Sequence, residues 1–546
     1  MKPSSIALLV LLGACAGPAR HGPGPLRFAN REPVTLVNDR RPIAPPKTFD
    51  ESIFEYYVHE NLMEPTRRAL TIETPRRAAN ANSIGAVPDS AWFTNRNVTP
   101  EQVRRGPGGD GPDRSEPWRV IGVKVGGAAI GITIKDGRGD RYVLKFDERD
   151  FPETETAADV IVQRLTWAFG YNVPDNTVVY FERPQLVLDP SAEVKLRTGA
   201  KRPMTQADLE KYIGMATPEA DGRYRALASK FVAGKIVGGV EPGGVRDGDP
   251  NDRVPHELRR DLRGQRMLWA WVDHVDLKSQ NTLATYTDGK YVEWYAIDFG
   301  DSLGVTARTT AYPILGYRGV YSLTGFLTSL FTLGLRVEPW EKRISYPELR
   351  GLGNFESELF DPARWTPAHH WRPADAADRF DDLWAAEILM RMTREHIEAA
   401  VAAGAYSDPR TSAYVVKTLL ERQRKIGHHA FSRVAPLTEV EATDLAGVIE
   451  LCFTDLWLAY AYGSAATTAY RTRVFDDAGR PLAAASAWLP PGEARSCIFN
   501  LPAGNAGDGY TIVELEVRRG TRPMPPLFVH VARGRTGMRV IGLDRR

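Results

Sequence analysis

The stretch VIGVKVGGAAIGITIKDGRGDRYVLKFD (120–147) constrains the fold more than any other part of the chain. Aliphatic residues alternate with small or polar ones, and glycines interrupt the run. That pattern predicts short strands joined by glycine turns. PETETAADVIVQRLTWAFG (152–170) follows and predicts a helix. Pro152 suits its first turn, and Ala158, Ile161, Leu165 and Phe169 recur on one face. A sheet followed by such a helix buries one face against it, an arrangement compatible with the α+β class.

The same alternation of elements continues. NTVVYF (176–181) and YRALASKFVAG (224–234) predict strands, with a helical insertion at TQADLEKYIGMA (205–216). HELRRDLRGQRMLWAWVDH (256–274) predicts a helix with Leu258, Leu262, Trp269 and Val272 on one stripe. HVDLKSQN (274–281) follows it directly. TLATYTDGKYVEWYAIDFG (282–300) then predicts two strands turning at Asp288-Gly289. Residues 305–440 read as mostly helical. In DPRTSAYVVKTLLERQRKIG (408–427), Asp408 caps, Pro409 opens and Gly427 stops the helix. From about 445 the chain reads as short strands, and Val513, Leu515 and Val517 alternate with Glu514 and Glu516. This predicts a small β-sandwich over 445–546.

The N-terminus, MKPSSIALLVLLGAC, has an early lysine, a short apolar run and a small-residue site. It predicts a signal peptide over 1–15, too short to remain as a membrane span. Leu12-Gly13-Ala14-Cys15 resembles the bacterial lipobox. That resemblance implies lipid on Cys15 and an exported lipoprotein whose lipid is its membrane anchor, and Ala16 favours the outer membrane. Residues 16–48 are rich in Pro, Arg and Gly and read as a tether, and 49–117 as an extension of unassigned fold. The remaining cysteines, Cys452 and Cys497, predict a disulfide in an exported protein. A net charge of +2 over 546 residues gives no basic excess of the kind that marks a nucleic-acid partner.

The order of glycine-rich strands, strand lysine, helix with acids, HVDLKSQN, hairpin and IDFG resembles the protein-kinase-like superfamily. The match in layout covers roughly 118–440, with 118–250 as N-lobe and 251–440 as C-lobe. Exported atypical members, and the HipA-like and aminoglycoside-phosphotransferase branches, are the nearest in character. The resemblance implies a bilobal fold, a nucleoside triphosphate such as ATP, Mg or Mn, and a hydroxyl acceptor on a protein, glycan or small molecule. It implies that Asp276 takes or orients the acceptor proton and that Lys278 reaches the transferred phosphate. Asn281 and Asp298 would hold the metal. Lys145 would bind the other phosphates, partnered by an acid from the next helix; Glu153, Glu155 and Asp159 are available, and Glu155 is the choice. Gly126, Gly127 and Gly131 would form the phosphate-covering turn. His274 reads as a structural residue of the loop. No Ala-Pro-Glu sequence closes an activation segment after IDFG. The alternative is a pseudokinase lipoprotein that binds without catalysis, with the β-domain meeting a protein or glycan partner.

Overall fold

The computed structural model describes residues 23–26, 32–72, 74–123, 131–195, 200–312, 315–319, 323–337, 346–445, 447–535 and 537–546. The chain divides into two compact units. One spans Val34–Val434; the other joins Met1–Pro33 with Ala435–Arg546.

In the larger unit, a helical stretch at Glu55–Met63 continues as α1 (Glu64–Leu70), and α2 (Pro100–Arg105) follows. The glycine-rich strands come next: β1 (Trp118–Val123), β2 (Gly131–Lys135) and β3 (Arg141–Lys145), then α3 (Thr154–Phe169). β4 (Asn176–Phe181), β5 (Leu186–Lys195), β6 (Lys201–Pro203), α4 (Gln206–Ile213) and β7 (Tyr224–Lys230) complete a seven-stranded sheet of order β4-β7-β3-β2-β1-β5-β6. Its core holds Trp118, Ile132, Ile134, Leu144 and Phe181, and α4 adds Leu209 and Ile213. The expected stripe of α3 is buried, but so is nearly every other residue of that helix.

A second sheet pairs β8 (Lys235–Ile236), β9 (Thr282–Thr287) and β10 (Tyr291–Ala296). α5 (Arg260–Val272) precedes it and buries Leu262, Trp269 and Val272. After it come α6 (Val305–Thr309), α7 (Leu323–Phe331), α8 (Arg372–Asp375), α9 (Arg379–Met390), α10 (Arg394–Ala403) and α11 (Pro409–Phe431). Residues 346–371 contain no helix, so 305–440 is less helical than its sequence suggests. Asp408 caps α11 through the Arg410 N–H as expected. Gly427 does not stop it; that glycine is buried inside the helix, which runs four residues further.

The tether reading does not hold for 34–48. The Val37 N–H donates to the Asp89 carbonyl (2.8 Å), and the Ile43 N–H donates to the Lys290 carbonyl (2.7 Å). Tyr286 donates its hydroxyl to the Ile43 carbonyl at 2.8 Å. A Pro- and Arg-rich composition resembles a linker, yet an extended segment can satisfy its backbone groups on a neighbouring hairpin.

The smaller unit stacks β11 (Leu437–Leu445), β12 (Val448–Asp455) and β14 (Arg495–Pro502) in one sheet. The short α12 (Leu456–Ala459) leads from β12 toward β13 (Thr468–Phe475). The other sheet runs β13-β15-β17-β18, with β15 (Thr511–Arg519), β17 (Leu527–Gly534), β18 (Gly537–Arg545) and the short β16 (Arg522–Pro523) paired to β15. Leu451, Phe453, Val513, Leu515 and Val529 fill the space between the sheets. This is the expected sandwich, except that it begins at Ala435 rather than 445. On the outer face Glu514 is also buried, because Arg473 donates to it at 2.8 Å.

Cys452 on β12 stands directly opposite Cys497 on β14, and the two form a disulfide. The crosslink closes a loop of 45 residues, which on the chain-entropy view stabilises the unit by about 2–4 kcal/mol. Reduction, or Cys452→Ser with Cys497→Ser, is expected to lower denaturant stability by that amount; an unchanged unfolding midpoint contradicts it.

His530 on β17 is 2% exposed, and its Nδ1 is bonded to the Tyr510 hydroxyl at 2.9 Å. Burial, with Arg546 adding to it, pushes the imidazole down to about 4. Between pH 4 and the ordinary 6.5, the unfolded chain binds a proton that the folded chain refuses. Stability is therefore retained above 6.5 and falls by about 3 kcal/mol as pH drops toward 4. His530→Gln is expected to remove that part of the pH dependence of unfolding, and an unchanged slope would refute it.

Candidate active site

Lys145 closes β3, where it pairs in register with Gly131 on β2 and Leu227 on β7. Its ammonium donates to Asp298 Oδ1 at 2.5 Å and to Asp159 Oδ2 at 3.2 Å. Burial works against the charge, but the carboxylates of Asp159 and Asp298 outweigh it and hold the lysine above its ordinary range. Lys145 therefore stays cationic.

The acid from α3 is Asp159, not Glu155. Asp159 is fully buried, and its other oxygen accepts from Asn176 Nδ2 at 2.6 Å. Glu155 lies one turn earlier on the same face and turns toward the IDFG loop. A Cβ placed on Gly300 would meet the Glu155 Cγ at 2.6 Å. Burial raises the Glu155 carboxyl to about 8, with Lys145 opposing and Asp301, Asp159 and Asp147 adding to the rise. Glu153, the third acid considered, faces elsewhere and accepts from Ser407.

The HVDLKSQN loop leaves α5 through Asp273, which adopts left-handed backbone (φ 52°). Asp273 is anchored away from the site by Trp365 Nε1 at 2.9 Å. His274 is buried, bonded to Ser302 Oγ at 2.9 Å and packed on Trp269. Burial lowers its imidazole to about 4, so it is neutral and structural, as its sequence context suggests. Asp276 Oδ2 accepts from Lys278 Nζ at 2.6 Å and from Asn281 Nδ2 at 3.0 Å. Asn281 also donates to the Asp276 carbonyl, which leaves its Oδ1 as an acceptor.

The hairpin returns the chain as its turn signal implies. Asp288 and Gly289 both have positive φ (52° and 62°), and Ala296 pairs with Thr282. The Ile297 N–H then donates to the Asn281 carbonyl at 3.1 Å. This sets Asp298, also left-handed (φ 63°), next to the loop. Asp276 and Asp298 both act on the Asp301 carboxyl, which burial already pushes up. Asp301 and Glu51 are site neighbours that the motifs do not mark. Gln280 Nε2 donates to Glu51 Oε2 at 2.8 Å, tying the N-terminal extension to the loop. Gly126 and Gly127 lie outside the described residues, as does Cys15.

One cluster thus holds two lysines, an asparagine and several carboxylates around two loop ends. It can hold phosphate-sized negative charge, bind a hard cation through oxygen, and take a proton. No protein-family model matches the sequence, and no curated protein does. Among solved structures, the chain is similar to the Helicobacter pylori proinflammatory kinase CtkA at 11% identity, covering 57% of this chain and 96% of that one, with a TM-score of 0.29. It is also similar to a Golgi casein kinase with Mn/ADP bound, at 9% identity, 58% and 72% coverage, and a TM-score of 0.31.

Proposed function

We propose that the protein is an exported, metal-dependent phosphotransferase that moves a nucleotide phosphate to a hydroxyl acceptor. The observation that carries this reading is the placement of Lys145 between Asp159 and Asp298, with Asp276, Lys278 and Asn281 meeting on the adjoining loop. Asp276 would accept the proton of the attacking hydroxyl at Oδ2, the atom that Asn281 and Lys278 now orient. Lys278 would turn from Asp276 to the transferring phosphate. Lys145 would hold the remaining phosphates, with Asp159 fixing its ammonium. The glycine turn at Gly126, Gly127 and Gly131 would close over them.

A divalent cation such as magnesium or manganese would, when bound, neutralise the phosphate charge. Asn281 Oδ1 and the Asp298 carboxylate are oxygen donors of the kind such hard cations take. The test is transfer from labelled ATP with magnesium or manganese, read as autophosphorylation and as nucleotide-induced thermal shift.

Export rests on the lipobox-like run ending at Cys15. Lipid there, with Ala16 after it, would put the protein at the outer membrane. Cells expressing the full chain are expected to attach labelled palmitate to it, and Cys15→Ser is expected to abolish the label. Persistent label in that variant contradicts the anchor.

A further inference from the structure

Two helical segments of the 34–434 unit are built inside out. Among the residues from Gly325 to Leu335, the partly covered ones are Gly325, Thr328 and Thr332, spaced three and four apart. The residues in water are Phe326, Leu327, Leu330, Phe331, Leu333 and Leu335, with Phe331 81% and Leu333 84% exposed. An amphipathic helix bathed only by water does the reverse. The run Glu55–Leu70 repeats the inversion in part. Glu60 and Asn61 are buried beside Tyr56, while Tyr57, Leu62, Met63 and Leu70 are exposed. Its inward side is fixed by polar bonds: Arg372 Nε donates to Glu60 at 2.7 Å, and the His370 N–H donates to Asn61 at 2.9 Å. Exposed apolar surface on this scale marks a contact face.

We propose that these outward faces enter the surface layer of a lipid bilayer. No charged residue stands between Arg318 and Arg336. Cations flanking an uncharged apolar run suit the headgroup layer. The nine residues of α7 rise about 14 Å, half of a bilayer core, so the helix lies in the interface rather than crossing. Among the described residues no helix is long and apolar enough to cross a membrane. The choice of a bilayer over a protein rests on the Cys15 anchor reading, which would hold the chain against one. Glu51, just before the second inverted segment, bonds Gln280 in the loop of Asp276, so membrane contact and transfer site would share one unit.

The test reconstitutes the full chain into phosphatidylethanolamine–phosphatidylglycerol vesicles, with a polarity-sensitive dye on Leu333→Cys. Nitroxides on the acyl chains are expected to quench the dye, and aqueous iodide is not. The same dye on Asp221→Cys, in an exposed turn, is expected to show the opposite. The triple variant Phe326→Asp, Leu330→Asp, Phe331→Asp is expected to lose nitroxide quenching with an unchanged unfolding temperature. Iodide quenching at Leu333→Cys without nitroxide quenching overturns the proposal. So does iodide protection in lipid-free protein that grows with protein concentration, which would assign the face to a second copy. Nitroxide quenching retained by the triple variant overturns it as well. Palmitate on Cys15 without nitroxide quenching sinks insertion and keeps the anchor; quenching without palmitate does the reverse.

Discussion

Replacing Asp276 with alanine is expected to lower phosphate transfer by about 10²–10⁴-fold, the range for a group that moves a proton in the transition state. Nucleotide binding should survive, because Asp276 faces Lys278 and Asn281 rather than Lys145. The thermal shift given by nucleotide and magnesium should therefore persist. Asp298→Ala should behave differently. That side chain bonds Lys145, and the Ile297 N–H just before it donates to the Asn281 carbonyl, so its loss should remove transfer and weaken the metal-dependent shift together. Equal loss of binding in both variants would contradict this division of roles.

The second large effect separates Asp159 from Glu155. Asp159→Ala removes a fully buried carboxylate and leaves Lys145, 8% exposed, with Asp298 as its remaining ion partner among those described. Breaking a buried pair from one side typically costs about 3–5 kcal/mol. The variant should lose stability on that scale and should bind nucleotide poorly. Glu155→Gln should do far less. Burial raises that carboxyl to about 8, so it is mostly neutral at pH 7, and the amide keeps its shape. A cost of about 1 kcal/mol or less is expected. Urea unfolding of the two variants decides the matter; a larger loss in Glu155→Gln would restore Glu155 as the lysine partner.

These two residues also mark where sequence reasoning stops. Glu155 and Asp159 are one turn apart, so helical period places both on one face and cannot rank them. The buried stripe of α3 suggested an edge at Glu155, and Glu155 is one of two residues of that helix left part-covered, so the lysine reaches past it to the fully buried Asp159. Local signals with their own geometry were legible. Asp288-Gly289 required positive φ at both positions and the hairpin has it. The alternation through Val513, Leu515 and Val517 located a sandwich strand, and Asp408 capped its helix. Long-range pairing was not legible. Nothing in the composition of 34–48 distinguishes a free tether from a segment bonded to Asp89 and Lys290. Gly427 carries a stop signal that tertiary packing overrides. Glu51 is 229 residues from Gln280, and no periodicity links them.

The central claim is that HVDLKSQN and IDFG form one phosphate-transfer centre with Lys145. Purified full chain should be incubated with γ-labelled ATP and magnesium or manganese, beside Asp276→Ala, with nucleotide-induced thermal shift measured on both. The account predicts label transferred by the wild type and lost in the variant, with the shift kept in each. A wild type that binds nucleotide but never transfers label would mean a binding module, and one that binds no nucleotide with either metal would contradict the account outright.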